Sequence, residues 1–211
     1  MKTEELIRVL AADASRRVTP VTTALWRALG LGVFGSAALL LLLLHPRADL
    51  PRAIFTLRFD FKLVVALSVA VAAMLFLRET ARPFVPERWR WPMVLGPILL
   101  LTGVAVELWR QPAAAWGRLL IGHNAVHCLS LVPMLSLPLV VCLLLALRRA
   151  APLKPGVAGA TAGLVAGGVG SMLYALTCPD DSPLFVATWY SIAVAVVAGG
   201  AAWVGNRLLR W

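Results

Sequence analysis

Charge is what this sequence has least of. Only 14% of its 211 residues are Asp, Glu, Lys or Arg, against about a quarter in an ordinary globular domain. A chain so poor in charge cannot cover a water-facing surface, which excludes a soluble globule. Acidic residues are scarcer still, ten against twenty Lys and Arg, for a net charge of +10. The three cysteines, Cys128, Cys142 and Cys178, form no C-x-x-C pair and no zinc-ribbon spacing. There is no Ser-His-Asp pattern, phosphate loop or dinucleotide fingerprint. No midplane charge or second buried carboxylate points to a proton-coupled transporter or channel. The basic residues are spread over every loop, which argues against direct nucleic-acid binding and for contact with anionic membrane lipids.

What the chain has instead is apolar length, in runs such as Leu39–Leu44, Val64–Leu77 and Leu137–Leu147. A bilayer core about 30 Å thick needs roughly 20 apolar residues per helix, and six segments qualify, near 25–45, 61–78, 92–110, 124–147, 156–177 and 184–206. The expected fold is all-α, a polytopic six-helix transmembrane bundle over 25–211 preceded by a short amphipathic cytoplasmic helix within 1–24. The first span follows two dozen polar and amphipathic residues and is too long for a signal-peptide core, so it reads as a retained span. Counting Lys and Arg near the span ends gives fourteen on the side of both termini and six on the other. Both termini of this multi-pass protein are therefore expected in the cytoplasm. Short connections predict consecutive spans packed as antiparallel neighbours in three hairpins. Gly159, Gly163 and Gly167, four residues apart, form a small-residue face that serves either packing within the bundle or a homodimer seam. Pro133 and Pro138 are expected to bend the fourth span and free backbone carbonyls.

Three groups of residues stand out. In the N-terminal segment Leu6, Ile7, Leu10, Ala11 and Ala14 mark one apolar helical face. Thr3 is a candidate N-cap, with Glu4 and Glu5 complementing the helix dipole. Such a helix either lies on lipid or docks in a protein groove. At the opposite side of the membrane, Gly122-His123-Asn124-Ala125-Val126-His127-Cys128 opens the fourth span and Cys178-Pro179-Asp180-Asp181-Ser182-Pro183 follows the fifth. His123 and His127, at i and i+4, are expected on one helical face with Cys128 one step round. Cys142 lies roughly 21 Å deeper and cannot reach that end. Three readings of Cys128 and Cys178 stay open: a structural or redox-active disulfide, a metal site of two thiolates with His123 and His127, or two unpaired thiols at helix ends. Last, Glu107 and Lys62 are ionisable groups at matching depth, expected to form an intramembrane ion pair, or for Lys62 to snorkel to the interface.

The stretch from Met1 to Asp13, the Gly122–Cys128 segment, Cys178-Pro179-Asp180-Asp181-Ser182-Pro183-Leu184-Phe185 and Trp189-Tyr190 together resemble the NrsF-type membrane anti-sigma factors, small six-span bacterial proteins that restrain sigma-F-like extracytoplasmic-function sigma factors. The resemblance covers essentially the whole chain. It implies a protein that is no enzyme, needs no cofactor, and holds a sigma factor inactive at the inner membrane until oxidative or heavy-metal stress is sensed. The sensor cysteines it implies fall on Cys128 and Cys178, while Cys142 has no counterpart. The sigma-binding end it implies falls on Thr3, Glu4, Glu5, Leu6, Ile7, Leu10 and Asp13. An alternative from another class is a membrane thiol oxidoreductase working through Cys128 and Cys178. Such an enzyme wants vicinal cysteines with one lowered pKa, which this sequence lacks.

Overall fold

A computed structural model describes residues 20–80 and 91–210, together with Thr3 and Glu5, which are helical and exposed. Glu4, Leu6, Ile7, Leu10 and Asp13 lie outside the described residues, as does 81–90. The described chain is helical, with no strand among the described residues. In chain order the helices are α1 (Val21–Leu43), α2 (Leu50–Ala53), α3 (Leu57–Thr80), α4 (Pro92–Arg110), α5 (Ala113–Ile121), α6 (Ala125–Arg148), α7 (Pro155–Ala175) and α8 (Pro183–Leu208). The six long ones are each long and apolar enough to cross a membrane, close to the six segments expected. Pro92, Pro155 and Pro183 each stand at the first helical position, where a missing N–H costs nothing. Helix α6 runs unbroken through Pro133 and Pro138. Helix α8 contains a π-helical turn, Val186–Tyr190, a feature that often accompanies functional sites.

The centre of the bundle is α7, the most buried span. Its glycines explain why. An added Cβ on Gly159 or Gly163 would meet the backbone of α8 at Ala201 and Ala198, one on Gly168 the Ala66–Ala70 turn of α3, and one on Gly170 the Ser136 side chain and Val132 carbonyl of α6. Helices without side chains at the contact approach closely, which is how spans associate when lipid offers no hydrophobic driving force. The glycine face is thus filled by α8 of the same chain, the first of the two uses expected for it.

The three-hairpin expectation is only partly met. Helices α7 and α8 are neighbours, and so are α3 and α4, but α1 lies along α6 instead of α3, and α4 leans on α3 and the start of α8 instead of α6. Gly32 and Gly35 of α1 accept Leu139 and Pro138 of α6, a fit that loop length cannot foretell. The link from Leu44 to Thr56, which carries α2, and the link from Gln111 to Asn124, which carries α5, are long enough to cross the end of the bundle. Two apolar cores result. One, toward the end where α1 begins and α8 finishes, gathers Leu25, Leu77, Leu143 and Leu147. The other, toward the opposite end, holds Leu40, Cys128, Val132, Tyr174, Cys178, Phe185 and Tyr190.

Candidate functional site

Both sensor candidates sit in that second core. Cys128 is on the first turn of α6 and Cys178 just beyond α7, at 0% and 1% exposure, and both are free thiols. The start of the α7–α8 loop turns inward because its backbone is tied down at Leu176, Thr177 and Cys178. The Cys178 amide donates to the Tyr174 carbonyl at 3.0 Å, and the Tyr174 hydroxyl hydrogen-bonds the Cys178 side chain. Burial pushes the Cys178 thiol above the ordinary thiol range, although Lys62 pulls the other way. It is therefore a protonated, water-shielded thiol at neutral pH. Tyr174 and Tyr190 pack with ring centroids 5.8 Å apart, and the Tyr190 hydroxyl is buried without a hydrogen-bond partner.

Beneath the thiols lies a cluster of charges. Asp180 accepts hydrogen bonds from the amides of His123 and Asn124, at 3.0 and 2.9 Å, and from the Asn124 side chain at 2.9 Å. Those amides precede α6, so one carboxylate serves as its cap. Burial works against the Asp180 charge, but these hydrogen bonds hold its carboxyl below the usual carboxylate range. Asp181 takes two cations at once, Arg47 at 2.8 Å and Lys62 through its other oxygen. The same cations hold the Cys178 carbonyl, Lys62 at 3.0 Å and Arg47 at 3.2 Å. Arg47 continues to Asp49 on the outside at 2.6 Å, and this contact, foremost among several, raises its pKa. Beside this, Glu107 accepts from Arg58 at 2.7 Å and from the Ser182 hydroxyl at 3.3 Å.

The expected Lys62–Glu107 pair is therefore corrected. Both groups are buried and each is ion-paired, but Lys62 with Asp181 and Glu107 with Arg58. The reason is directional. The Lys62 ammonium turns toward the α7–α8 loop, beneath the Phe59 and Tyr190 rings at 5.6 and 6.0 Å, while Arg58, one helical turn earlier, covers Glu107. Lys62 is fully buried and does not snorkel.

The expected thiol–imidazole set is not assembled either. Helix α6 begins only at Ala125, so His123 precedes it and the i, i+4 face does not exist. His123 is 86% exposed on its side chain, 3.7 Å from Asp180, and His127 is exposed while Cys128 next to it faces inward. Among the described residues, no three of His, Cys, Asp and Glu gather as metal ligands. Cys142 is half-buried against the other core.

Gly122, before His123, has φ of +59° and ψ of −163°, a region essentially reserved for glycine. A Cβ there would lie 2.5 Å from Phe185 and 3.0 Å from the Asp180 carboxyl carbon. Sequence reasoning singled out the Cys178–Pro183 stretch but not the roles of Arg47, Arg58, Asp180, Asp181, Asn124, Tyr174 and Tyr190. One signal for the arginines was present: Arg47 and Arg58 lie on the side poorer in positive charge, where a cation is best explained by a carboxylate partner.

Six apolar helices closed at one end by a buried thiol and ion-pair cluster define a polytopic α-helical membrane protein. The family model described as negative regulator of sigma F, NrsF, matches residues 10–211, and the chain belongs to this family. It is 36% identical to the anti-sigma-F factor NrsF of Caulobacter vibrioides and 32% identical to the probable anti-sigma-F factor NrsF of Azospira oryzae, over all of this chain and all of each relative. No solved structure matches it significantly. Membership of a family of negative regulators makes its role regulatory rather than catalytic.

Proposed function

We propose that this protein sequesters an extracytoplasmic-function sigma factor at the inner membrane and releases it when Cys128 and Cys178 are oxidised or capture a thiophilic metal ion. The residues of 1–24 lead into α1 on the side of both termini, which the fourteen-to-six bias of Lys and Arg assigns to the cytoplasm, where a sigma factor would be met. The thiols then belong to the other, oxidising side. The observation that carries the sensor reading is the meeting of Cys128 and Cys178, fifty residues apart in the chain, as free thiols in one buried core. In the oxidative step each thiol loses its proton, one S–S bond forms, and two electrons pass to a peroxide, which leaves as two waters.

A thiol oxidoreductase is the weaker reading. Catalytic turnover needs a thiol open to substrate in every cycle, whereas these two are shielded; a switch thrown once per stress tolerates the slow reaction that shielding imposes. The test is sigma-dependent transcription in cells carrying Cys128→Ser, Cys178→Ser and the double variant, challenged with peroxide and separately with a thiol-binding metal. A paired sensor makes all three equally uninducible. Full induction of the double variant under both stimuli would remove the sensor role and leave only the restraint of a sigma factor.

A further inference from the structure

A sensor at one end of the bundle needs a part that carries its state to the other, and the supports of α1 single that helix out. It lies along α6, the helix that bears Cys128, with Gly35 of α1 against Pro138 of α6 such that an added Cβ would sit 3.2 Å from the proline ring. Leu40 of α1 is in the same core as both thiols. Past the end of α1, Arg47 is fastened to the loop that bears Cys178. Its amide donates to the Leu176 carbonyl at 3.1 Å, and one guanidinium nitrogen donates both to the Cys178 carbonyl and to Asp181. These two seats of α1 therefore carry one of the two cysteines each, whereas its third, Leu25 in the other core, carries neither. Among the described residues the other cation on the Cys178 carbonyl is Lys62, which ties it to α3 and not to α1.

We propose that Arg47 is a positioning residue of the sensor, the latch through which the state of Cys178 sets the seating of α1 and, beyond Pro20, the N-terminal segment. The inference rests on the sensor reading above. With both thiols reduced, the Cys178 carbonyl and Asp181 together hold the guanidinium, and α1 is seated at both supports. Drawing the Cys178 sulfur into a bond with Cys128 turns the Cys178 peptide, whose carbonyl can then no longer face Arg47. Asp181, joined to Cys178 through Pro179 and Asp180, moves with it, and Asp180 carries the same shift to the start of α6. The other seat is pulled at the same moment, because Cys128 opens α6. A two-position ion-pair contact of this kind converts a small local shift into one of two discrete packings, and its differential bonding in the two states is what an equilibrium shift requires.

The test is Arg47→Gln in the full-length protein in cells with a sigma-dependent reporter. We expect uninduced reporter activity to rise to the level of stressed wild type, with membrane abundance unchanged and peroxide adding nothing. A maleimide-polymer gel shift should show Cys128 and Cys178 still oxidising as in wild type, a readout that general destabilisation would disturb. Arg47→Lys, which restores charge and one contact, should recover part of the repression. Asp49→Asn, which touches Arg47 only from the exposed side, should repress normally. Normal repression and normal induction by Arg47→Gln would overturn the latch. Should Arg47→Gln lower abundance, Arg47→Cys with Asp181→Cys, bridged by a short bifunctional maleimide that replaces the reach of the guanidinium, decides instead. Bridged, it should stay repressed under peroxide although Cys128 and Cys178 oxidise, and wild-type induction of the bridged protein would overturn the proposal. Failure of the sensor reading shows separately, as induction in the Cys128→Ser/Cys178→Ser protein with Arg47 intact.

Discussion

At the scale of single residues, this end of the bundle is governed by how few buried charges it has, Lys62 and Glu107, and by the partner each one finds. Glu107 is 4% exposed and depends on Arg58, whose own side chain is half in solvent. Removing the cation alone leaves a buried carboxylate with one hydroxyl partner, a loss of about 3 kcal/mol or more, whereas removing both charges does not. Arg58→Met should therefore lower the thermal midpoint of the detergent-solubilised protein, and Glu107→Gln added to it should restore most of the loss. Additive losses would show that the pair contributes nothing. Cys178 gives a second test. Its folded pKa lies above its unfolded one, so the thiol form is favoured by the fold and stability is lost as pH rises through the alkaline thiol range. Alkylation by a small membrane-permeant reagent should be slow at neutral pH and accelerate only in that range. Fast neutral labelling would contradict the shielded thiol. Asp180 has the opposite sign: its lowered pKa contributes stability above the ordinary carboxylate range that is lost as pH falls through the folded value. Acid should thus loosen the start of α6 first, visible as backbone amide exchange at His123 and Asn124 faster than the change in intrinsic rate with pH predicts.

At the scale of elements, glycine decides which helices touch. Gly163 approaches the backbone of α8 so closely that an added Cβ would lie 2.6 Å from the Ala198 Cα. Gly163→Leu must force α7 and α8 apart, costing about 1–3 kcal/mol in overpacking alone, while Gly199→Leu, where nothing lies within 4 Å, should be neutral. Thermal midpoints of the two variants check this, and equal effects would contradict the packing of α7 on α8. The N-terminal helix is a different matter. Its apolar face, with Leu6, Ile7 and Leu10, is read from periodicity alone, and those residues lie outside the described ones. Burying each in a groove of a sigma factor would contribute roughly 1.5–3 kcal/mol. Leu6→Asp with Leu10→Asp should abolish co-purification of sigma factor and raise its regulon without stress. Full repression by that double variant would move the docking site to the basic loops.

At the scale of the whole molecule, sidedness is the property on which the functional reading turns. With Cys128 and Cys178 buried, an exposed probe is the better reporter. His123 and Leu153 are both exposed and stand at opposite ends of the bundle. In a chain whose native cysteines are replaced by serine, a membrane-impermeant thiol reagent applied to spheroplasts should label His123→Cys and spare Leu153→Cys. The reverse pattern would invert the topology and, with it, the compartment assigned to the thiols.

The number, length and rough limits of the spans were legible in the sequence because crossing a bilayer demands a continuous apolar run of fixed length, a one-dimensional property. The choice of Cys178-Pro179-Asp180-Asp181-Ser182-Pro183 as the informative stretch was legible for the same reason, since polar residues between two apolar spans stand out. Partnership was not. Whether Lys62 meets Glu107 or Asp181 depends on which way an ammonium turns about one helical axis, and apolar periodicity says little of that where lipid and core are equally apolar. Nor could the sequence show that His123 falls before the first turn of α6, since Asp180, distant in the chain, supplies the cap that starts the helix. The placing of α1 on α6 was decided by Gly32 and Gly35 meeting Leu139 and Pro138 and by Arg47 reaching Asp181 across the bundle. Contacts of that sequence separation exist only once all six helices are packed, because each needs a third element to hold the other two in reach.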